Sequence, residues 1–287
     1  MTIKESLALA SDNLKSSQIP SPRLDAEVLL SSLFEKKREY LFTHPEKELT
    51  PKQTEKYQDL INRRLRLEPV AYLTNAQEFY GLNFYVDHHV LIPRPETELI
   101  ISEILRKKQI KKESTIIDLG TGSGCLAITL ARLLPRVKIY ATDISKPALK
   151  IAKKNARKHK VLDRIQFLQG NLLAPIPPEF WSLRAQKIII ANLPYLNQKI
   201  LGSSPSIQYE PKTALSGGKD GLKIYRDFIE ELKLKTKNCR AEFTIMLEIN
   251  PEQSKGIKKI IWKKFSKKKI EIKKDLSGQN RIVDFKI

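Results

Sequence analysis

The chain has 287 residues, 41% hydrophobic and 29% charged, which reads as a soluble globular protein of one large or two modest domains. No apolar run approaches the roughly 18 residues that a membrane-spanning helix needs, and Met1 to Lys15 has helical spacing with internal charges where a signal peptide would have an apolar centre. The formal charge of +20 is unevenly placed: residues 1 to 76 hold 12 Lys+Arg against 11 Asp+Glu, and the remainder holds 40 against 21.

Such a field favours polyanionic partners, with RNA or the ribosome as the obvious class. Lysine supplies 37 of the 52 basic residues, so a generally lysine-rich composition produces the same excess without a specific partner. Cys125 and Cys239 form no disulfide framework, and the two cysteines and four histidines show no metal-ligand spacing. A reducing, cytoplasmic location is expected, and no metal.

The first 75 residues read as helices. Thr2 with Glu5 and Thr50 with Gln53 fit capping boxes, and Pro51 suits the first helical position. Apolar residues recur at helical spacing in "LDAEVLLSSLF" and "YQDLINRRL". A helical domain over 1–75 that positions a partner is expected. Residues 76–95 alternate aromatic and β-branched residues around Gly81 and an Asp-His-His turn, a pattern for a β-hairpin linker. Pro93 and Pro95 end it, and "ETELIISEIL" opens a helix of the third part, 96–287.

From residue 115 strand and helix patterns alternate. "TIIDL", "KIYATD", "IQFLQG" and "KIIIAN" are short β-rich runs separated by helical ones, the signature of a doubly wound parallel sheet. "FTIMLEI", "IEIKK" and "RIVDFKI" follow. The last two are joined by "DLSGQN", too short for a crossover helix, so they should form an antiparallel pair. The predicted fold is therefore α/β: a Rossmann-like sheet of seven strands ending in an antiparallel hairpin, which resembles the class I S-adenosylmethionine-dependent methyltransferases. Residues 255–274 hold 10 lysines, with Ile257, Ile260, Ile261 and Phe265 at helical spacing. A solvated helix face and an electrostatic contact surface both fit that pattern.

"DLGTGSG" places Gly120, Thr121, Gly122, Ser123 and Gly124 in a turn between a strand and a helix. The spacing Gly-x-Gly-x-Gly differs from the Gly-x-Gly-x-x-Gly that opens around a pyrophosphate, which favours a phosphate-free cofactor. Asp143, nineteen residues past Gly124, ends the next strand, where a carboxylate can accept from both ribose hydroxyls. After the third strand, Asn171 and Leu172 offer an edge and a face for adenine; an ordinary loop fits them equally.

The fourth strand stops at Asn192-Leu193-Pro194-Tyr195, on the carboxyl edge where open α/β sheets bind ligands. A planar nitrogen resists methylation because its lone pair is delocalised. The Asn192 side-chain oxygen and the Leu193 carbonyl can each accept one proton of an NH2 group, which directs the lone pair at the methyl carbon. Tyr195 can stack on the flat face of the substrate.

With these motifs, "EPVAYL", "FYGLNFYV", "VLIPRPETE", "YEPKTALSGGKDGLKIYR" and "LEINPEQ" make the chain resemble the peptide chain release factor N5-glutamine methyltransferases, the HemK family, nearly end to end. The resemblance implies S-adenosyl-L-methionine as cofactor and S-adenosyl-L-homocysteine as product. It implies the Gly-Gly-Gln glutamine of class-1 release factors as substrate, with the helical domain helping to seat that factor. A monomer is expected. The chain departs from the family at Leu193, where proline is usual, and at Asn171, where aspartate is common. Asn-Leu-Pro-Tyr also resembles the motif of adenine-N6 methyltransferases acting on ribosomal RNA. A basic ribosome-binding protein that keeps the fold without catalysis is a third reading.

Overall fold

The computed structural model describes every residue except 107–109, 111–113, 183–184, 198–200, 202–204 and 267. The chain divides into two compact units, Met1–Ala76 with Pro205–Tyr209, and Gln77–Ser204 with Glu210–Ile287.

Two reciprocal caps start helices of the first unit. Thr2 Oγ1 accepts from Glu5 N at 3.2 Å while Glu5 Oε2 accepts from Thr2 N at 2.9 Å. Thr50 and Gln53 repeat the arrangement at 3.3 and 2.9 Å. Each box satisfies two backbone donors that a helix start leaves open. The helices Ile3–Ser16, Pro22–Leu33 and Pro51–Leu65 bury Leu7, Leu14, Leu29, Leu30, Tyr57 and Ile61 in one core. Two buried carboxylates sit in this unit, each with its cation: Asp25 with Arg64 at 2.7 Å, and Glu27 with Arg23 and Arg38. Tyr209 returns to the unit and donates to the Arg66 carbonyl at 2.7 Å.

The second unit begins with a short hairpin, β1 (Gln77–Phe79) and β2 (Leu82–Phe84). Tyr80 and Gly81 turn it with φ of 51° and 71°, the two positive angles of a type I′ turn. The hairpin is shorter than the sequence suggested. Residues 85–94 leave it as irregular chain, turned where Val90 N donates to Asp87 O at 3.1 Å. It also belongs to the sheet unit, because Phe79 and Phe84 are buried in the same core as Ile100, Leu126 and Ile139.

The main sheet contains β3 (Thr115–Leu119), β4 (Lys138–Asp143), β5 (Ile165–Gln169), β6 (Lys187–Ala191), β7 (Phe243–Glu248), β8 (Ile270–Lys274) and β9 (Asn280–Lys286). Their order is β5-β4-β3-β6-β7-β9-β8. The first five are parallel, and β9 pairs antiparallel with both β7 and β8. Every residue of β3, β6 and β7 is buried, as expected for strands covered on both faces. Strand order reverses between β3 and β6, so their carboxyl ends open a crevice there. The helix Ser254–Lys264 buries Ile257 and Ile261, leaving its lysines on the other face; Lys267 of the lysine-rich run lies outside the described residues. Among the described residues no helix is long and apolar enough to cross a membrane.

Candidate active site

A cavity opens at the carboxyl edge of the sheet. Much of its lining comes from the ends of four neighbouring strands, Gly120 to Ser123 after β3, Asp143 to Ser145 after β4, Gly170 to Leu172 after β5, and Asn192 to Pro194 after β6, with Arg94 and Thr97 from the segment before the helix Glu98–Arg106. Gly124 stands directly behind this wall. The three loop glycines have φ of 67°, 55° and 84°, which L side chains rarely adopt. A Cβ on Gly124 would also lie 2.8 Å from Ile128 Cδ1 and 3.2 Å from Ala152 Cβ, so this glycine sets how closely two helices approach the loop.

Two aspartates fasten the loop. Asp118 accepts from Thr121 Oγ1 at 2.7 Å and from Ala127 N at 3.2 Å. Asp143 accepts from Gly122 N at 2.9 Å and from Ser145 N at 2.8 Å. Leu172 lines the cavity with φ of 45°, a backbone cost on the order of 1–2 kcal/mol for a residue with a Cβ.

Asn192, Leu193 and Pro194 line the same cavity; Tyr195 is not among its lining residues. Tyr195 instead packs partly buried against the core, its hydroxyl 3.5 Å from Glu248 Oε1. Distant motifs hold this loop from every side. Thr97, from "IPRPETE", accepts from Asn192 Nδ2 at 3.1 Å and donates to Glu248 Oε2, from "LEINPEQ", at 2.6 Å. Gln253 Nε2 donates to the carbonyl of Tyr195 at 2.9 Å and to that of Gly221 at 3.1 Å. A side chain on Gly221, from "GGKDGL", would overlap Tyr195 O and Gln253. Leu196 N and Gly217 N close the frame through Leu215 O and Leu196 O, both at 2.9 Å. Glu210, from "YEPKTAL", pairs with Arg94 and accepts from Ile92 N at 3.1 Å. Three of the quoted motifs, those containing Thr97, Gly221 and Glu248, thus brace Asn-Leu-Pro-Tyr.

Residues 5–74 match the model of the PrmC N-terminal domain and residues 110–260 that of a methyltransferase domain. The chain is 36% identical to a release factor glutamine methyltransferase of Moorella thermoacetica, over 98% of this chain and 97% of that protein. The chain belongs to the release factor glutamine methyltransferase family. It is also 35% identical, over 94% of its length, to a bifunctional methyltransferase of Rickettsia bellii, of which it spans 52%. In fold it is similar to the crystal structure of the hMettl16 catalytic domain in complex with a 3′UTR hairpin. That match has a TM-score of 0.55 at 17% identity, covering 79% of this chain and 81% of that one.

The family's methyl transfer implies S-adenosylmethionine, and the cavity fits it. In a chain of net charge +20 the lining carries two aspartates, Asp118 and Asp143, against one arginine, Arg94. Among the described residues the lining's one arginine, Arg94, is already paired with Glu210, which disfavours a pyrophosphate. Burial pushes Asp118 up to about 7, against the hydrogen bonds from Thr121 and Ala127. Burial likewise raises Asp143, against the backbone donors of Ser145 and Gly122. Burial pushes Glu248 up to about 7 as well; the Thr97 hydrogen bond and the charge of Arg281 oppose the shift.

Three residues of this family member were missed in the sequence. Thr97 and Glu248 are 151 positions apart, and nothing local marks either as a neighbour of Asn192. Asn155, fully buried, accepts from Tyr85 N and donates to the carbonyls of Tyr85 and Ser123. It ties the chain after the hairpin to the glycine loop, and its only sequence signal is an amide on the apolar face of the helix Lys146–Lys158. The structure also gathers donor atoms of Asp87, His88 and His89 within 4.8 Å. Asp87 there accepts from both the backbone and the ring of His89, so the turn itself accounts for the grouping.

Proposed function

We propose that this family member transfers a methyl group from S-adenosylmethionine to the side-chain amide nitrogen of glutamine in the Gly-Gly-Gln motif of class-1 peptide chain release factors. The observation that carries the reading is the placing of Asn192 and Leu193 in the cavity with Asp143 and Leu172, which brings an amide acceptor to the cofactor wall. When bound, S-adenosylmethionine would supply the electrophilic methyl group and become S-adenosylhomocysteine. Asp143 would hold the ribose hydroxyls, the loop Gly120 to Gly124 the amino-acid end, and Leu172 with Asn171 the adenine.

Asn192 Oδ1 and the Leu193 carbonyl accept the two protons of the glutamine NH2. They keep its lone pair out of conjugation and aimed at the methyl carbon. The nitrogen becomes acidic only as the new C–N bond forms, so its proton passes to solvent without a strong base. Leu193 keeps the carbonyl that proline would supply, and Pro194 biases it toward extended angles. The helical unit seats the release factor, and the enzyme acts in the cytoplasm as a monomer, with the basic face of the second unit available to the ribosome.

The test is methyl transfer from labelled S-adenosylmethionine to purified release factor, to the same factor with Gly-Gly-Ala in place of Gly-Gly-Gln, and to ribosomal RNA. Label on the intact factor alone is expected. Label on the RNA alone would replace the reading with adenine methylation, and no label with no cofactor binding would replace it with a non-catalytic scaffold.

A further inference from the structure

Thr97 and Glu248 are both buried, and their side chains meet behind Asn192. A threonine hydroxyl has one hydrogen to give. At 2.6 Å from Glu248 Oε2 that hydrogen goes to the carboxylate, so toward Asn192, 3.1 Å away, Thr97 Oγ1 can only accept. An acceptor there selects the NH2 end of the Asn192 amide and turns Oδ1 the other way, toward the cavity. The flipped amide would lose one hydrogen bond and set two acceptors against each other, a bias of roughly tenfold to a hundredfold.

We propose that Thr97 and Glu248 are positioning residues that fix the sense of the Asn192 carboxamide, so that oxygen and not NH2 meets the substrate amide. The proposal rests on the reading of Asn192 as the substrate acceptor. It gives the two motifs "IPRPETE" and "LEINPEQ" a part in the reaction through orientation, from Thr97 at the cavity wall and Glu248 next to it.

The relay has a proton-dependent failure mode. A protonated Glu248 donates to Thr97 Oγ1, which frees the threonine hydrogen to turn toward Asn192. The amide then flips and offers NH2 to NH2. Burial holds Glu248 near 7, so turnover should rise with pH through that region. Among the described residues the groups that face Glu248 are Tyr195, Tyr225, Arg281, Glu96, Thr97 and Cys125, and burial pushes the Cys125 thiol up to about 12, out of this range. Tyr225 is engaged with the Glu248 main-chain carbonyl and Arg281 is paired with Asp275 at 3.0 Å. Burial, followed by the negative charge of Glu248, raises Tyr195 far above this range.

The test compares Thr97→Val, Thr97→Ser, Glu248→Gln and Asn192→Ala in methyl transfer to release factor, with cofactor Kd and thermal unfolding measured on each. Thr97→Val should lower kcat roughly tenfold to a hundredfold, with Kd for S-adenosylmethionine and KM for release factor unchanged, while Thr97→Ser stays within about threefold of wild type. The acid limb of the wild-type kcat profile, near pH 7, should vanish in Thr97→Val and in Glu248→Gln. Glu248→Gln keeps the packing and so reads the same question if Thr97→Val unfolds. Thr97→Val with full kcat beside an inactive Asn192→Ala overturns the relay alone. Equal loss in Thr97→Ser and Thr97→Val also overturns it, because shape and not the hydroxyl would then matter. An active Asn192→Ala rejects the reading of Asn192 beneath it.

Discussion

Glu27 in the helical unit and Glu248 in the sheet unit are both glutamates with almost no exposed surface, and their surroundings treat them in opposite ways. Burial raises Glu27, but the hydrogen bonds and charges of Arg23 and Arg38 outweigh it and hold the carboxyl below its ordinary value. Glu248 has no ion pair among the described residues; burial lifts it to about 7. Asp118, at the cavity floor, is lifted in the same way. The helical unit neutralises its buried acids, and the sheet unit does the same for Glu210 through Arg94, whereas Asp118 and Glu248 have no ion pair among the described residues. A buried carboxylate without a cation is costly, and both of these lie where the proposed chemistry needs an oriented acceptor.

The contrast predicts that variants at the site change rate or binding while variants of the paired acids change stability. Asn192→Ala should show the largest effect, a loss of methyl transfer on the order of 10²–10³-fold, with cofactor Kd by calorimetry unchanged. Asp143→Ala should weaken cofactor binding by about tenfold to a hundredfold, through the ribose bonds and the loosened Gly122 and Ser145 backbone; an unchanged Kd would reject its role. Glu27→Gln should leave kcat alone and lower unfolding free energy by about 1–3 kcal/mol, read by chemical denaturation. Leu193→Pro should be the smallest, a change of about two- to fivefold in kcat, since only the restraint on φ differs.

The pH dependences of stability should separate too. Glu27, held low, contributes stability that is present above its unfolded pKa and lost as pH falls through its folded value. Asp118 and Glu248, held high, contribute stability that is present below their unfolded pKa and lost as pH rises through about 7. Wild type should therefore lose stability relative to Glu248→Gln between about pH 4.5 and about pH 7, levelling off where turnover completes its rise.

What could be read from the sequence was local. The capping boxes of Thr2 and Thr50, the strands Thr115–Leu119 and Ile270–Lys274 and the antiparallel end of the sheet follow from neighbouring residues and loop length. Asn192 was legible as a site residue because a strand ended on an unusual tetrapeptide. Its support was not, because Thr97, Gly221, Glu248 and Gln253 converge only through folding. The insertion of β9 between β7 and β8 leaves no mark in strand spacing. Tyr80 is the clearest case of tertiary override: a tyrosine at φ 51° is held because Glu98 Oε1 accepts from its N–H at 2.7 Å. Tyr195 is expected from the sequence to stack on the substrate, but its ring packs partly buried against the core and only the preceding residues Asn192 to Pro194 of this loop line the cavity.

The most direct test follows the side-chain carboxyl carbons of glutamate by ¹³C NMR from about pH 3 to about pH 9, with Glu248→Gln and Glu27→Gln used to assign the two signals. Glu248 should titrate at about 7 while Glu27, in the same spectrum, titrates below 4.5. A Glu248 signal that titrates alongside Glu27 would mean that the carboxylate near Asn192 is as well compensated as the structural one, and would contradict both the contrast between the two glutamates and the acid limb of turnover near pH 7.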